Sequence, residues 1–322
     1  MQNESPVQVD GAPPVGATRV GPMQPQDLAI TILGAHVRAD GETVWSGGMV
    51  TLLGEFGFTT EAARAALARL VLRGLLARHK QGRLVHYALT PRAQELLTEG
   101  DRRIFTFGRA APTGEAWTVL WHSIPEDRRV ERSRLGRRLR FLGFGSVQDA
   151  TWVAAADRER DVLDLLRALE LAPFASVFVG RPSAALLPEA IVAAAWDLDG
   201  LACVYESFLD QFGPLRRART RRALDDRSAF VERTRMLHFF RELPFQDPEL
   251  PDAIATLRRL RERVVSTFDD VYTRLEPAAA AHFEAVAQPH IPDRGAVRPR
   301  GRTPAPARGR GRSRPATGRR AP

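Results

Sequence analysis

Hydrophobic residues change their spacing in the middle of residues 59–90. In the first half they recur every three or four positions, and Ala63, Leu67, Leu70 and Val71 fall on one face of a helix. In the second half apolar and polar residues alternate on both sides of a glycine, as they do in two strands joined by a turn. The pattern therefore predicts a helix followed by a β-hairpin.

Both ends of this helix carry recognisable signals. Thr59 is a good N-cap, and Gly74 is suited to end the helix. Two shorter helical patterns precede it, at residues 27–38 and 48–56, with a short extended segment between them. Three helices followed by a basic hairpin predict a winged helix-turn-helix over residues 26–108.

The rest of the chain divides by pattern and composition. Residues 115–182 follow the order strand-helix-strand-strand-helix-strand, which is that of a ferredoxin-like domain. Residues 184–288 are helical in pattern, with proline breaks. The stretches 1–25 and 289–322 are of low complexity and are predicted to be disordered arms. The predicted fold class is a multidomain α+β protein with a winged helix-turn-helix, a ferredoxin-like centre and an all-α C-terminal domain.

The composition indicates which class of protein and which cellular compartment to expect. A hydrophobic content of 44% is enough to build packed cores. The one cysteine, Cys203, excludes an intrachain disulfide and a zinc site of several cysteines, which fits a reducing cytoplasm. Its apolar neighbours favour a packed thiol. The N-terminus is polar and no apolar run reaches about 18 residues, so we expect neither a signal peptide nor a membrane-spanning helix.

The formal net charge of +9 has one dominant source. Residues 289–322 contain ten Arg and one Asp, which equals the whole excess. Two interpretations of this tail stay open: DNA binding without sequence preference, and an extension with no dedicated role. Residues 59–90 also concentrate cations, against the single acid Glu61, and a local basic patch on a balanced body indicates an anionic partner.

Candidate DNA-contacting residues follow from this patch. Arg64 and Arg69 lie away from the apolar face of the helix, and arginine offers a planar fork that matches guanine or phosphate. Lys80 and Arg83, at the tip of the hairpin, suit phosphates. The full set is Thr60, Arg64, Arg69, Arg73, Lys80 and Arg83. The alternative is an ordinary solvated helix face, or a helix-and-hairpin module that binds another protein.

Five segments, in the same order, resemble the PaaX family of bacterial transcriptional repressors, which control phenylacetic acid catabolism and related pathways. The similarity spans roughly residues 26–285. The segments are RAALARLVLRGLL (64–76), GRLVHYALT (82–90), RRLRFLGFGSVQDATWV (137–153), WDLDGLACVYESFL (196–209) and AFVERTRMLHFFRELPFQDPELP (229–251). The resemblance implies a cytoplasmic repressor that binds a palindromic operator as a homodimer, with a Cas2-like middle domain and a helical C-terminal domain that helps to dimerise.

The resemblance also implies release from DNA by an acyl-CoA effector such as phenylacetyl-CoA. A CoA thioester needs cations for its phosphates and an apolar slot for its acyl group. In the matching C-terminal segment the candidate effector-binding residues are Arg233, His238 and Arg241. Arg233 and Arg241 are two helical turns apart and share a face. Ion pairs with neighbouring acids are the alternative role for these arginines.

The Cas2-like resemblance raises an enzyme hypothesis, a metal-dependent nuclease. Such chemistry needs an Asp near the end of the first strand to hold a divalent metal. Residues 117–124 contain no acid, and no catalytic motif, metal site or cofactor is predicted. A DNA-binding regulator of a catabolic operon is therefore the leading hypothesis, with the nuclease and a protein-interaction module that does not bind DNA as alternatives.

Overall fold

The computed structural model describes residues 23–37, 42–109, 116–183, 188–250 and 257–289. The arms predicted from composition lie almost wholly outside these ranges. Along the described chain, the elements form an N-terminal group, a central group and a C-terminal group.

The N-terminal group combines helices with a small antiparallel sheet. The sheet has the order β1-β3-β2, in which Val44 pairs with Tyr87 and Leu76 with Leu89. The helices and the hairpin that the hydrophobic pattern predicts are present, with boundaries shifted by one or two residues. In chain order the elements are α1 (Pro25–His36), β1 (Val44–Trp45), α2 (Ser46–Gly54), α3 (Thr60–Leu72), β2 (Leu76–Gln81), β3 (Leu84–Leu89) and α4 (Pro91–Thr106).

The central group is an antiparallel four-stranded sheet with two helices on one face. Leu120 of the sheet meets Leu135 and Val162 of the helices in one core. The elements are β4 (Trp117–His122), α5 (Arg129–Phe141), β5 (Gly145–Gln148), β6 (Thr151–Ala154), α6 (Glu159–Ala168) and β7 (Ala175–Gly180). The strand order β5-β6-β4-β7 is the ferredoxin-like order, so this prediction is confirmed.

The C-terminal group is helical, as predicted. Its centre is the pairing of two long helices, in which the rings of Phe240 and Phe268 stack with centroids 3.8 Å apart. The elements are α7 (Pro188–Ala195), α8 (Leu198–Phe212), α9 (Ala218–Arg222), α10 (Asp226–Phe240), α11 (Leu243–Gln246) and α12 (Arg258–Ala287).

The N-terminal and C-terminal groups share one hydrophobic core. Phe230 of α10 and Phe283 of α12 are buried in the same cluster as the apolar faces of α1, α2 and α3. The approach of α2 to α12 is close, because a Cβ at Gly48 would collide with the carbonyl oxygen of Val286. The sequence pattern, which predicts the two as separate domains, contains no sign of this packing.

The interpretation of Cys203 as a packed thiol is wrong, because its side chain is exposed. The buried face of α8 is formed by Leu201, Val204, Tyr205 and Phe208, and residue 203 points away from it. Within the described residues, no helix combines the length and the hydropathy that a membrane crossing requires.

Candidate functional site

The outer face of α3 presents polar and small side chains to solvent. Thr59 caps the helix, its Oγ1 accepting a hydrogen bond of 3.2 Å from the backbone N–H of Ala62. Ala63, Ala66, Leu67 and Leu70 are buried against the core. The opposite face carries exposed alanines between the arginines, so the backbone of α3 can approach a large ligand closely.

All six candidate DNA-contacting residues are exposed. Within the described residues none of their cations forms an ion pair, so the charges remain available for a partner. Arg69 donates a hydrogen bond of 3.4 Å from its Nε to Oε1 of Gln26 in α1. The exposed end of α3 also carries Leu72, 86% exposed, an apolar side chain that charge-based reasoning from the sequence does not find.

The hairpin places two cations at a tight turn. Gln81 pairs with Leu84, so the loop between the strands has only two residues, Gly82 and Arg83. Gly82 has φ +60°, a left-handed conformation that favours glycine. Lys80 is the second exposed cation beside this turn.

The start of α3 is held in place by the C-terminal group. Glu55, at the end of α2, accepts a hydrogen bond of 2.9 Å from Nε2 of His282 in α12. Glu55 also lies 3.5 Å from Nε of Arg227 in α10. The ring of Phe56 packs on Phe230, with centroids 6.0 Å apart. The turn that leads into α3 is therefore fixed by two helices from the other end of the chain.

The candidate effector-binding residue Arg233 is committed to intramolecular contacts. It is 5% exposed, its Nε donates to the carbonyl of Tyr272 at 3.1 Å, and its guanidinium lies 3.8 Å from the centroid of the Tyr272 ring. It also forms an ion pair with Glu276. These contacts agree with the ion-pair alternative, although the acid is on α12 and not nearby in sequence.

His238 and Arg241 join α10 to α1. Arg241 Nη1 donates to Thr31 Oγ1 at 2.8 Å, and His238 Nδ1 lies 3.1 Å from the same oxygen. Arg241 Nε also lies 3.5 Å from Oε1 of Glu242, which agrees with the alternative of an ion pair with a neighbouring acid. Burial lowers the pKa of His238 from 6.5 to about 4, and the nearby Arg241 acts in the same direction. His238 is thus neutral near pH 7 and serves as a buried link between two groups of elements.

A cavity of about 390 Å³ opens where α1, α4, α5, α10, α11 and α12 meet. Most of its lining is apolar, including Leu97, Phe105 and Phe141. Its cationic side chains are Arg103, Arg138 and Arg241, so Arg241 is the one candidate effector-binding residue on its wall. No sequence signal points to this cavity, because its walls come from distant segments.

Arg103 and Arg138 differ in how far they are neutralised. Arg103 lies 3.2 Å from Glu249 and donates to the carbonyl of Pro244 at 3.3 Å. Its Nε is buried without a hydrogen-bond partner among the described residues. Arg138 is half exposed and 3.8 Å from Glu99, a loose pair in water. The cavity therefore combines apolar walls with guanidinium groups that an anionic ligand could engage.

The segment between α11 and α12 is anchored by a buried carboxylate. Asp247 is 1% exposed and accepts two hydrogen bonds from Arg261, at 2.5 and 2.9 Å. Tyr205 also donates its hydroxyl to Asp247. Two residues further on, Glu249 accepts from the backbone N–H of Gly108 at 2.9 Å. This segment ties α8, α12 and the end of α4 together beside the cavity.

The described part of the first central strand, β4, carries no acid of the kind that the nuclease hypothesis requires. Strand β4 ends at His122 without a carboxylate, and the next acids, Glu126 and Asp127, lie at the start of the following helix. Among the described residues no cluster of three or more His, Cys, Asp or Glu side chains could hold a metal ion.

These features define a three-part α+β protein with a basic helix-and-hairpin surface and a cavity between its groups of elements. Three family models match it in succession: PaaX-like protein over residues 24–93, PaaX protein central Cas2-like domain over 110–192, and PaaX-like protein C-terminal domain over 196–285. The chain belongs to the PaaX family, which confirms the resemblance seen in the sequence.

Two individual proteins are similar to this chain over most of their length. The chain is 24% identical over 270 residues to the transcriptional repressor PaaX of Escherichia coli (strain K12), a match that covers 82% of this chain and 84% of that protein. It is also similar in structure to the uncharacterized protein Rv0674 from Mycobacterium tuberculosis, with a TM-score of 0.50 and 22% identity over 78% of this chain and 96% of that one. The second likeness shows the fold alone.

Proposed function

We propose that this protein is a DNA-binding transcriptional repressor in which residues 26–108 act as a winged helix-turn-helix. In this proposal α3 enters the major groove of a palindromic operator and the β2–β3 hairpin contacts phosphates. The observation that carries it is the set of exposed cations on α3 and the hairpin that form no ion pair within the described residues. The repressor similar in sequence supports it. The proposal includes a cytoplasmic location, where the operator is, and no catalytic role.

The test uses an operator duplex selected from a random library with the purified protein. Arg64→Ala and Arg69→Ala should each weaken operator binding by about 1–3 kcal/mol if the side chains contact bases. Arg167→Ala is the matched control, because Arg167 is an exposed arginine of the central group paired with Asp164 at 2.9 Å. If both α3 variants bind with wild-type affinity in a gel-shift titration, α3 is not the reading helix.

We further propose that an acyl-CoA, such as phenylacetyl-CoA, binds the cavity and releases the protein from DNA. The volume of about 390 Å³ lies within the range of about 300–1,000 Å³ typical of small-molecule sites. The apolar walls suit an acyl group, while Arg138 and Arg241 offer charge to the phosphates. The cavity touches α1 of the DNA-binding part and α10 of the C-terminal part, so a ligand that favours a different spacing of these helices would change affinity for DNA.

Release is measured as the rise in the dissociation constant of the operator when phenylacetyl-CoA is added, with free CoA as the reference. Leu96→Trp narrows the cavity and should abolish the response while leaving operator affinity in the absence of ligand unchanged. Val130→Trp is the control, because Val130 is 54% exposed and does not line the cavity. An unaltered response in Leu96→Trp would place the effector elsewhere.

A homodimer completes the proposal, since two copies are needed to read a palindrome. The surface that best supports it is on the central sheet, whereas the family resemblance implies the C-terminal helices. Trp121 and Phe178 are 46% and 56% exposed and stack on each other with centroids 4.8 Å apart. A second copy would cover these rings. Sedimentation of a Trp121→Ser, Phe178→Ser variant should yield monomers, and an unchanged dimer would exclude this surface.

A further inference from the structure

A second basic segment lies in the C-terminal group, far from α3 in sequence. Residues 216–222 contain five arginines and no acid, within and just before the short helix α9. Two of them are held in place: Arg216 and Arg221 each have a nitrogen 4.0 Å from a carboxylate oxygen of Asp270 in α12. Arg221 also donates to the carbonyl of Leu215 at 2.8 Å. These contacts fix the backbone of the segment on the body of the protein.

The other three arginines, Arg217, Arg219 and Arg222, are exposed and form no ion pair within the described residues. The nearest acid downstream, Asp225, caps α10 by accepting from the backbone N–H of Ser228 at 2.8 Å. Three uncompensated guanidinium groups on an anchored segment are therefore presented to solvent. Such a surface is complementary to a polyanion.

The position of this segment relative to α3 is also fixed. Chain length keeps Arg222 within about 11 Å of Asp225, the residue that caps α10. The first two turns of α10 contact the turn that leads into α3, through Arg227 with Glu55 and Phe230 with Phe56. A duplex that fills its major groove with α3 repeats its backbone about every 34 Å along the axis. The arginines are thus joined through α10 to the turn that leads into α3, and the flanking turns of a duplex held by α3 would extend beyond that helix.

We propose that Arg217, Arg219 and Arg222 contact the phosphate backbone of DNA that flanks the operator half-site bound by α3. This proposal rests on the proposed function and extends it, because the C-terminal group would then take part directly in DNA binding. Contacts of this kind carry no sequence information, but they fix orientation and release counterions. They also lengthen the stretch of DNA that one copy of the protein occupies.

The experiment compares two operator duplexes, one ending at the base pairs protected by α3 and one extended by two helical turns on each side. The variant combines Arg217→Gln, Arg219→Gln and Arg222→Gln, all exposed, so folding should be retained and is checked by circular dichroism. On the extended duplex its affinity should fall, and the slope of log K against log salt should flatten by about 0.9 for each phosphate that the protein no longer neutralises. On the short duplex the variant should match the wild type.

The control variant combines Arg129→Gln, Arg160→Gln and Arg167→Gln, which remove the same charge from exposed positions of the central group. Equal affinity and slope for the cluster variant and the wild type on the extended duplex would overturn the proposal, as would an equal loss of affinity in the control. A loss of affinity that also occurs on the short duplex would rule out flanking DNA as the partner. Failure of the proposed function appears separately, as unchanged operator binding by both α3 variants, Arg64→Ala and Arg69→Ala.

Discussion

Removal of the Asp247 carboxylate should destabilise the protein more than removal of any exposed acid. Asp247 neutralises Arg261 through two short hydrogen bonds, and both side chains are less than 10% exposed. Asp247→Ala leaves the guanidinium of Arg261 buried and unpaired, which costs about 3–5 kcal/mol in comparable buried pairs. It also removes the acceptor of the Tyr205 hydroxyl. We therefore expect the free energy of unfolding to fall by at least about 3 kcal/mol.

The assay is urea unfolding followed by tryptophan fluorescence, analysed with a common slope for all variants. Glu262→Ala is the control, because Glu262 and Arg258 form a pair of 2.7 Å in which both side chains are more than half exposed, and such pairs are worth about 1 kcal/mol or less. The double variant Asp247→Leu, Arg261→Met should recover much of the stability, since it leaves no buried charge. The reasoning would be refuted if Asp247→Ala lowered the free energy of unfolding by less than about 1 kcal/mol. It would also be refuted if the loss in the double variant equalled the sum of the losses in the two single variants.

Three further outcomes are expected. Deleting residues 289–322 should weaken binding to scrambled duplexes more than binding to the operator. It should also flatten the slope of log K against log salt by about 0.9 for each phosphate that is no longer neutralised. Identical slopes for the full-length and the shortened protein would show that the tail does not contact DNA. The pKa of His238 is about 4 in the folded protein and about 6.5 in the unfolded chain, so below pH 6.5 the unfolded state binds more protons. The free energy of unfolding should therefore fall as the pH drops from 6.5 towards 4, by up to about 3 kcal/mol. His238→Gln should lose this part of the pH dependence of urea unfolding. Cys203 should react with a maleimide in the native protein as fast as in urea, and slow labelling in the folded state would contradict its exposure.

The parts of this fold that depend on interactions between residues close in sequence could be predicted from the sequence. The Thr59 cap, the hairpin at Gly82 and the strand order of the central sheet all follow from local spacing, turn chemistry and the order of elements. The exposure of Cys203 could also have been predicted, because the helical repeat places residue 203 on the face opposite Leu201 and Tyr205.

Features made by distant segments could not be predicted in this way. Arg233 and Arg241 share a helical face by count, yet α10 ends at Phe240. The sequence does indicate the local ion pair of Arg241 with Glu242, but not the distant partners, which are Tyr272 and Glu276 on α12 for Arg233 and Thr31 on α1 for Arg241. The cavity and the core shared with Phe283 also depend on tertiary packing. Hydrophobic patterning indicates which face of a helix is buried but does not indicate which helix covers it.

The packing of α12 on α2 has a consequence for synthesis of the chain. Phe283 and Ala287 complete the core beneath α3, but they follow the end of α4 by about 180 residues, which is about 9–36 s at 5–20 residues per second on a ribosome. During this interval the nascent N-terminal segment lacks part of its core and exposes apolar surface. The surface of α3 that we propose to read DNA therefore gains its complete support only once almost the whole described chain has been made.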